Sequence, residues 1–313
     1  MLERKLERKP RLKKEYNDFI HEYAKLQHMR ELRGHHPSWN VRPHFYLPHH
    51  CVIKETSATT KLRVVFDASS KTTSGISLND ALMVGPVLQQ DLFSILLRFR
   101  TFEYALTADI AKMYRQVLVN EAQIPLQRIL WRNQVTDDIK TYELITLTYG
   151  TASASFLAIK VIQQLADLEE NEFPIGASIA RRDFYVDDLI TGANSKEDAL
   201  MIRDQAAALL KKGGFLLRQW ASNSQELLKG IGESSTTNAL LELDKDGTSK
   251  TLGIKWNPSK DVLQYAISME LKGSNSHTKR SILSGIAQIF DPLGLLGPVI
   301  VVAKILIQKL WRL

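Results

Sequence analysis

Four residues, Tyr185-Val186-Asp187-Asp188, stand inside the apolar run from Phe184 to Ile190. An aromatic followed two residues later by paired aspartates reads as a strand, a tight turn and a second strand, with the two carboxylates at the tip. Ionised carboxylates are expensive to hold beside apolar strands unless a cation or hydrogen bonds compensate them. The chain carries its own contrast in Asp137-Asp138, which lies between Gln134, Thr136 and Lys140 with a much weaker apolar flank. That second pair reads as a solvated turn, and the first does not.

Charge and composition narrow the partners. Of 313 residues 44% are hydrophobic, enough for an ample core in two or three subdomains. Basic residues exceed acidic ones by 7 and the pI is near 9.3, which is compatible with a polyanionic partner. The single cysteine, Cys51, excludes an intramolecular disulfide and leads to the expectation of a reducing, cytoplasmic setting. Residues 1–16 are charged throughout, so no secretory leader is expected. The longest apolar stretch, Leu293 to Ala303, is broken by Gly297-Pro298 and followed by Lys304 and Lys309, too short to span a bilayer.

Periodicity gives a mixed order of elements. Residues 2–33 place Leu6, Tyr16, Phe19, Ile20, Tyr23 and Leu26 at helical spacings among alternating charges, which predicts basic amphipathic helices. Pro37, Pro43 and Pro48 predict an extended connector. Cys51 to Ile53 and Leu62 to Phe66 predict one hairpin, and Ile129 to Trp131 with Tyr142 to Ile145 predict another. Helices are expected over Asp91 to Phe99, Thr151 to Glu170, Ser195 to Lys212, Lys279 to Phe290 and Pro298 to Trp311, with a strand from Thr251 to Ile254. The fold class expected is α+β.

Asp109 is the second key position. It closes the apolar strand from Tyr104 to Ala108, as a hairpin tip would, and precedes a charged turn with Lys112, Tyr114 and Arg115. Brought beside Asp187 and Asp188, it completes a group of carboxylates that would raise one another's pKa unless divalent cations neutralise them. Hard oxygen ligands select Mg²⁺ or Mn²⁺. A pair of such ions can activate an attacking hydroxyl and stabilise a leaving pyrophosphate. In isolation Asp109 reads better as a strand-end cap or turn residue.

The segment Leu106 to Val117, with Asp109 five residues before Tyr114, resembles the first palm motif of reverse transcriptases. Tyr149 to Ser153 resembles the second motif, Tyr185 to Asp188 the third, and Thr251 to Gly253 the primer-grip strand. Longer phrases narrow the resemblance to the BEL/Pao retrotransposon polyprotein: Tyr46 to His50, Lys61 to Ser69, Leu126 to Trp131, Phe215 to Ser224 and Ile289 to Leu296. The resemblance covers nearly the whole chain. It implies a right-hand polymerase architecture of fingers, palm with an antiparallel sheet and partial helical thumb. The expected divisions are a basic N-terminal segment (1–43), fingers and palm (44–257), and partial thumb or connection helices (258–313). Family catalogues also treat the region from about Thr251 onward as part of a Pao retrotransposon peptidase, yet the chain has no Asp-Thr/Ser-Gly tripeptide to hold an aspartic-protease dyad.

The resemblance implies an RNA-directed DNA polymerase using two Mg²⁺ (or Mn²⁺) ions, held by Asp109, Asp187 and Asp188. Tyr114 would exclude a 2′-hydroxyl. Arg63, with Lys54 or Lys61, would hold the triphosphate, Gly150 would allow close backbone approach, and Leu252 and Gly253 would form the primer grip. The implied partners are a primed RNA or DNA template and deoxynucleoside triphosphates, with no membrane. Ribonuclease H and integrase domains are expected to be absent from this chain, and residence in a cytoplasmic virus-like particle follows from the family. Two departures matter. Thr148 and Tyr149 stand where many relatives have proline and glutamine, and Arg218 and Gln219 stand near the place of a lysine that could protonate pyrophosphate, a step for which arginine is poorly suited. The competing expectation is a catalytically inactive, nucleic-acid-binding remnant of a retroelement.

Overall fold

Alternating polar and apolar stretches resolve into nine α-helices and twelve strands among the described residues of a computed structural model. Those residues are 2–34, 39, 43–53, 62–232, 241–243, 254–265, 278–287, 291 and 293–312. In chain order the first elements are α1 (Leu2–Glu7), α2 (Pro10–Lys25), β1 (Met29–Glu31), β2 (His49–Ile53), β3 (Leu62–Phe66), α3 (Leu78–Ala81) and α4 (Leu92–Phe99). Next come β4 (Tyr104–Ile110), β5 (Arg128–Trp131), β6 (Lys140–Leu144), α5 (Ala154–Glu169), α6 (Pro174–Arg182), β7 (Phe184–Tyr185) and β8 (Asp188–Ala193). The last are α7 (Lys196–Lys212), β9 (Leu217–Ser222), β10 (Leu241–Leu243), β11 (Ile254–Asn257), β12 (Val262–Tyr265), α8 (Lys279–Ala287) and α9 (Gly297–Trp311).

The chain divides into two compact units, one of residues 1–88 and 112–164, the other of 89–111 and 165–313. In the first, α2 buries Leu12, Tyr16, Ile20 and Tyr23, spaced four, four and three apart as one helical face requires. That face closes the same core as Val64 and Phe66 of β3 and Ile129, Trp131 and Leu144 of β5 and β6. Tyr16 stacks on Trp131, ring centroids 4.8 Å apart. The N-terminal segment thus shares a core with the strands that follow it. Its final turn is not helical either. Gln27 adopts φ +56°, which ends the helix, and Met29 to Glu31 add a strand to β6 in the order β1-β6-β5. The β2–β3 and β5–β6 hairpins pair antiparallel, and Asp137 and Asp138 are exposed in the connection of the latter.

The second unit is built on an antiparallel sheet of order β7-β8-β4-β9. Leu92, Ile95, Leu96 and Phe99 of α4 pack with Ala105, Ile190 and Ala221 of that sheet and with Trp256 of the smaller β10-β11-β12 sheet. α7 packs against β4, β8 and α6, capped by Ser195, whose hydroxyl accepts from the Asp198 amide. One expectation is corrected here. Asp109 does not close its strand: β4 continues to Ile110 and is paired on both sides, because Ile110 is an apolar core residue that extends the run. Helices α8 and α9 pack on each other. No helix among the described residues is long and apolar enough to cross a membrane.

Candidate active site

The paired aspartates fall where the apolar run breaks. Phe184 pairs with Leu189 and Tyr185 with Asp188, so Val186 and Asp187 form the two-residue turn of a hairpin. Val186 takes φ +57°. A β-branched residue in the left-handed region costs on the order of 1–3 kcal/mol and persists only where the surroundings impose it. Two hydrogen bonds do so: the Val186 amide donates to Oε1 of Gln89 (3.0 Å), and the Ile110 amide donates to the Asp187 carbonyl (2.9 Å).

The base of the hairpin is held by Asp183, whose side chain is fully buried. Its carboxylate accepts from Nε of Arg98 (3.0 Å), Nε of Arg182 (2.9 Å) and the Thr191 hydroxyl (2.8 Å). Sequence reasoning missed both Gln89 and Asp183. The only local signal was a further acid, next to two arginines, ahead of the apolar run.

Across the sheet, three side chains share one row. Asp109 on β4 is directly opposite Asp188 on β8 and opposite Arg218 on β9, and directly paired residues project to the same face. The second pairing depends on a bulge. Thr107 pairs with Ala221, yet Asp109 pairs with Arg218 rather than Gln219, so β9 carries one extra residue there, and Gln219 takes φ +53°. Arg218 Nε donates to Asp109 Oδ2 at 3.1 Å.

The electrostatics follow from that row. Burial pushes the Asp188 carboxyl well above the usual carboxylate range, and the negative charges of Asp187 and Asp109 push it further. Asp109 is also raised by burial, but Arg218 pulls it back. The carboxylate oxygens of Asp109 and Asp188 are donors suited to a hard cation. Among the described residues no group of three or more His, Cys, Asp or Glu side chains gathers in metal-binding geometry.

The remaining expected residues belong to the other unit or are not described. Tyr114 lies in a one-turn helix, Met113–Gln116, entered through Lys112 at φ +50°, with its hydroxyl 3.0 Å from that of Ser155. Gly150 takes φ +98°, and a Cβ there would lie 2.3 Å from the Phe66 carbonyl oxygen. Its own carbonyl accepts from Asn79 Nδ2 (3.0 Å), while Asn79 Oδ1 accepts from the Ala152 amide (2.8 Å). Arg63 is exposed on β3. Lys54, Lys61, Leu252 and Gly253 lie outside the described residues.

Comparison with known proteins places the fold. A family model described as a Pao retrotransposon-like RNaseH-like domain matches residues 278–313, where the resemblance had brought with it the label of a peptidase. No curated protein matches the chain. The foamy viral protease-reverse transcriptase in complex with an RNA/DNA hybrid is similar in structure, with a TM-score of 0.56 and 13% identity, over 88% of this chain and 30% of that one. The dRH form of the same protein, in complex with double-stranded DNA, gives a TM-score of 0.54 and 14% identity, over 85% of this chain and 38% of that one. The chain therefore spans about a third of the length of these proteins. It has a mixed α+β fold resembling part of a retroviral reverse transcriptase, with a Pao retrotransposon-like C-terminal stretch.

Proposed function

We propose that this chain is the reverse-transcriptase portion of a BEL/Pao-type retroelement and acts as an RNA-directed DNA polymerase. One observation carries the reading: Asp109 and Asp188 are directly opposed on neighbouring antiparallel strands, with Asp187 in the adjoining turn. In this reading a primer 3′-hydroxyl oxygen attacks the α-phosphorus of a deoxynucleoside triphosphate. The hydroxyl proton passes to solvent water, the bond from the α-phosphorus to the bridging oxygen breaks, and pyrophosphate leaves.

Two Mg²⁺ ions, when bound, supply the charge that activates the hydroxyl and offsets the leaving group. The residues fit such ions. Asp188 and Asp109 offer hard oxygens on carboxyls that burial holds above their ordinary pKa, with Arg218 offsetting part of the rise at Asp109. Mg²⁺ is ordinarily held by one or two carboxylates plus substrate phosphates, so a closed cage of three protein ligands is not required. The strained Val186 turn holds Asp187 and Asp188 in place ahead of substrate. Tyr114 would discriminate the sugar by steric conflict with a 2′-hydroxyl. Arg63, Lys54 and Lys61 would meet the triphosphate, Gly150 the approaching backbone, and Leu252 and Gly253 the primer end.

Residues 258–313 are proposed as thumb or connection helices. Exposed Lys279, Arg280, Lys304 and Lys309 would meet phosphates there, although α9 also exposes Val299, Val301, Val302, Leu306 and Trp311, a surface suited to packing.

The test is primer extension on an RNA template with deoxynucleotides and Mg²⁺, beside Asp187→Asn/Asp188→Asn. Metal-dependent extension that the variant loses is the expected result, and extension surviving in the variant would sink the assignment. A second reading, an inactive nucleic-acid-binding remnant, is favoured by the Arg218 guanidinium lying on Asp109. It requires nucleic-acid binding with no incorporation by either protein.

A further inference from the structure

The chain's positive charge is concentrated at one end. Residues 1–14 hold seven basic and two acidic side chains, a net of +5 against +7 for all 313 residues. Arg4, Lys5, Arg8, Lys9, Arg11 and Lys14 are exposed. Arg11 pairs with Glu15, but among the described residues Arg4, Lys5, Arg8, Lys9 and Lys14 make no ion pair. The same segment buries Leu6 and Leu12, and with them Tyr16, Ile20 and Tyr23 of α2, in the core of its unit. The charges therefore stand on a docked helical surface rather than on a loose tail.

The arrangement works against the helix that carries it. α2 has no acidic residue in its first turn, its N-cap Lys9 makes no side-chain cap, and Arg11, Lys13 and Lys14 stand at the positive end of the helix dipole. Local helix stability would favour acids at those positions. Residues that break a local rule in an otherwise consistent element point to a use elsewhere.

We infer that the exposed face of α1 and the start of α2 is a docking surface for the phosphate backbone of a nucleic acid. The competing polyanion, an anionic membrane, is disfavoured because a membrane-surface helix needs its apolar face free to insert. Here that face is already buried against β3, β5 and β6. Backbone binding of this kind is independent of sequence and steeply dependent on salt. The inference does not draw on the carboxylate chemistry, so the two can fail separately.

The experiment measures binding of a fluorescein-labelled RNA/DNA hybrid to the full chain, without nucleotides, across a salt series. Arg4→Gln/Lys5→Gln/Arg8→Gln/Lys9→Gln is compared with the unaltered protein, with Arg4→Lys/Arg8→Lys as the charge-keeping control. All these positions are exposed, and a thermal melt checks that each variant is folded. The slope of log affinity against log salt should fall by about 3, as expected for four lost phosphate contacts, with affinity down about a hundredfold at low salt. The charge-keeping variant should bind normally. An unchanged slope in the folded Gln variant overturns the proposal. So does binding to phosphatidylserine vesicles that the Gln variant loses while its hybrid affinity is intact. Binding is read without nucleotides, so neither result depends on whether the chain extends a primer.

Discussion

Arg218 reaches Asp109 because β9 contains one more residue than β4 over the same stretch of pairing. Without that bulge Gln219 would oppose the aspartate, and a neutral amide would replace a guanidinium. The pair is partly exposed, so it contributes under about 1 kcal/mol to stability. Its larger effect is on the proton affinity of Asp109, which burial raises and Arg218 lowers. In Arg218→Gln the Asp109 carboxyl should titrate higher than in the parent, because burial remains and the guanidinium that opposes it is gone. A carboxyl-carbon NMR titration of the two proteins reads this directly. An unchanged midpoint would mean that the guanidinium is not the counter-charge of Asp109.

The left-handed backbone at Val186 is held by Gln89 and by the Ile110–Asp187 hydrogen bond. Glycine adopts that conformation without the steric cost, at an entropic cost of roughly 0.5–1 kcal/mol. Val186→Gly should therefore match or exceed the parent in stability, by up to about 1 kcal/mol, in urea unfolding. Gln89→Ala should lose about 1 kcal/mol by leaving the turn amide unpaired. A clearly less stable Val186→Gly protein would show that the valine side chain packs better than its backbone is strained.

Local signals carried most of the elements. The apolar run from Phe184 to Ile190, broken by the paired aspartates, pointed to the hairpin, and the helix expected from Ser195 begins where its cap stands, because both depend on neighbours within a few residues. The pairing of Asp109 with Asp188 was foreshadowed by the need of acids in apolar strands for a shared compensating charge and by the order of the motifs that the chain resembles. What was not legible depended on distant partners. The β1 strand is three residues long and exists only because β6 offers an edge. Gln89 and Asp183 act through contacts that no spacing encodes. Arg218 was noticed as a departure from a pattern, but its role turns on a bulge, and Gln219 carries no glycine to announce one.

Gly150 combines two constraints. Its φ of +98° is a region side chains rarely adopt, and an added Cβ would meet backbone rather than a movable side chain. Gly150→Ala should destabilise the protein by about 2 kcal/mol or more, since neither the dihedral nor the Phe66 carbonyl can relax independently of β3. Circular-dichroism melts would show the loss. Stability within about 0.5 kcal/mol of the parent would mean the turn re-forms without the glycine.

His49 gives the fold a dependence on pH that can be isolated. Its Nε2–H donates to the Leu130 carbonyl (3.0 Å), which leaves Nδ1 to accept from the Tyr16 hydroxyl. The ring lies 5.9 Å from that of Trp131 and 6.2 Å from that of Phe66. Burial holds its pKa below the ordinary value, as it does for His28, where Arg115 adds to the effect. The unfolded chain then takes up more protons than the native one as pH falls through the unfolded value of about 6.5. The stability held by a neutral His49 is intact above that pH and is lost as pH falls through the folded pKa. The raised carboxyls of Asp188 and Asp109 work in the opposite sense, so the parent's own melting curve mixes the two. Comparing the parent with His49→Gln removes the common part. The stability advantage of the parent over His49→Gln should hold above about pH 6.5 and shrink steadily from there to about pH 5. A difference that stays flat over that range would show that His49 binds its proton equally well in both states, and the neutral, doubly hydrogen-bonded imidazole would have to be abandoned.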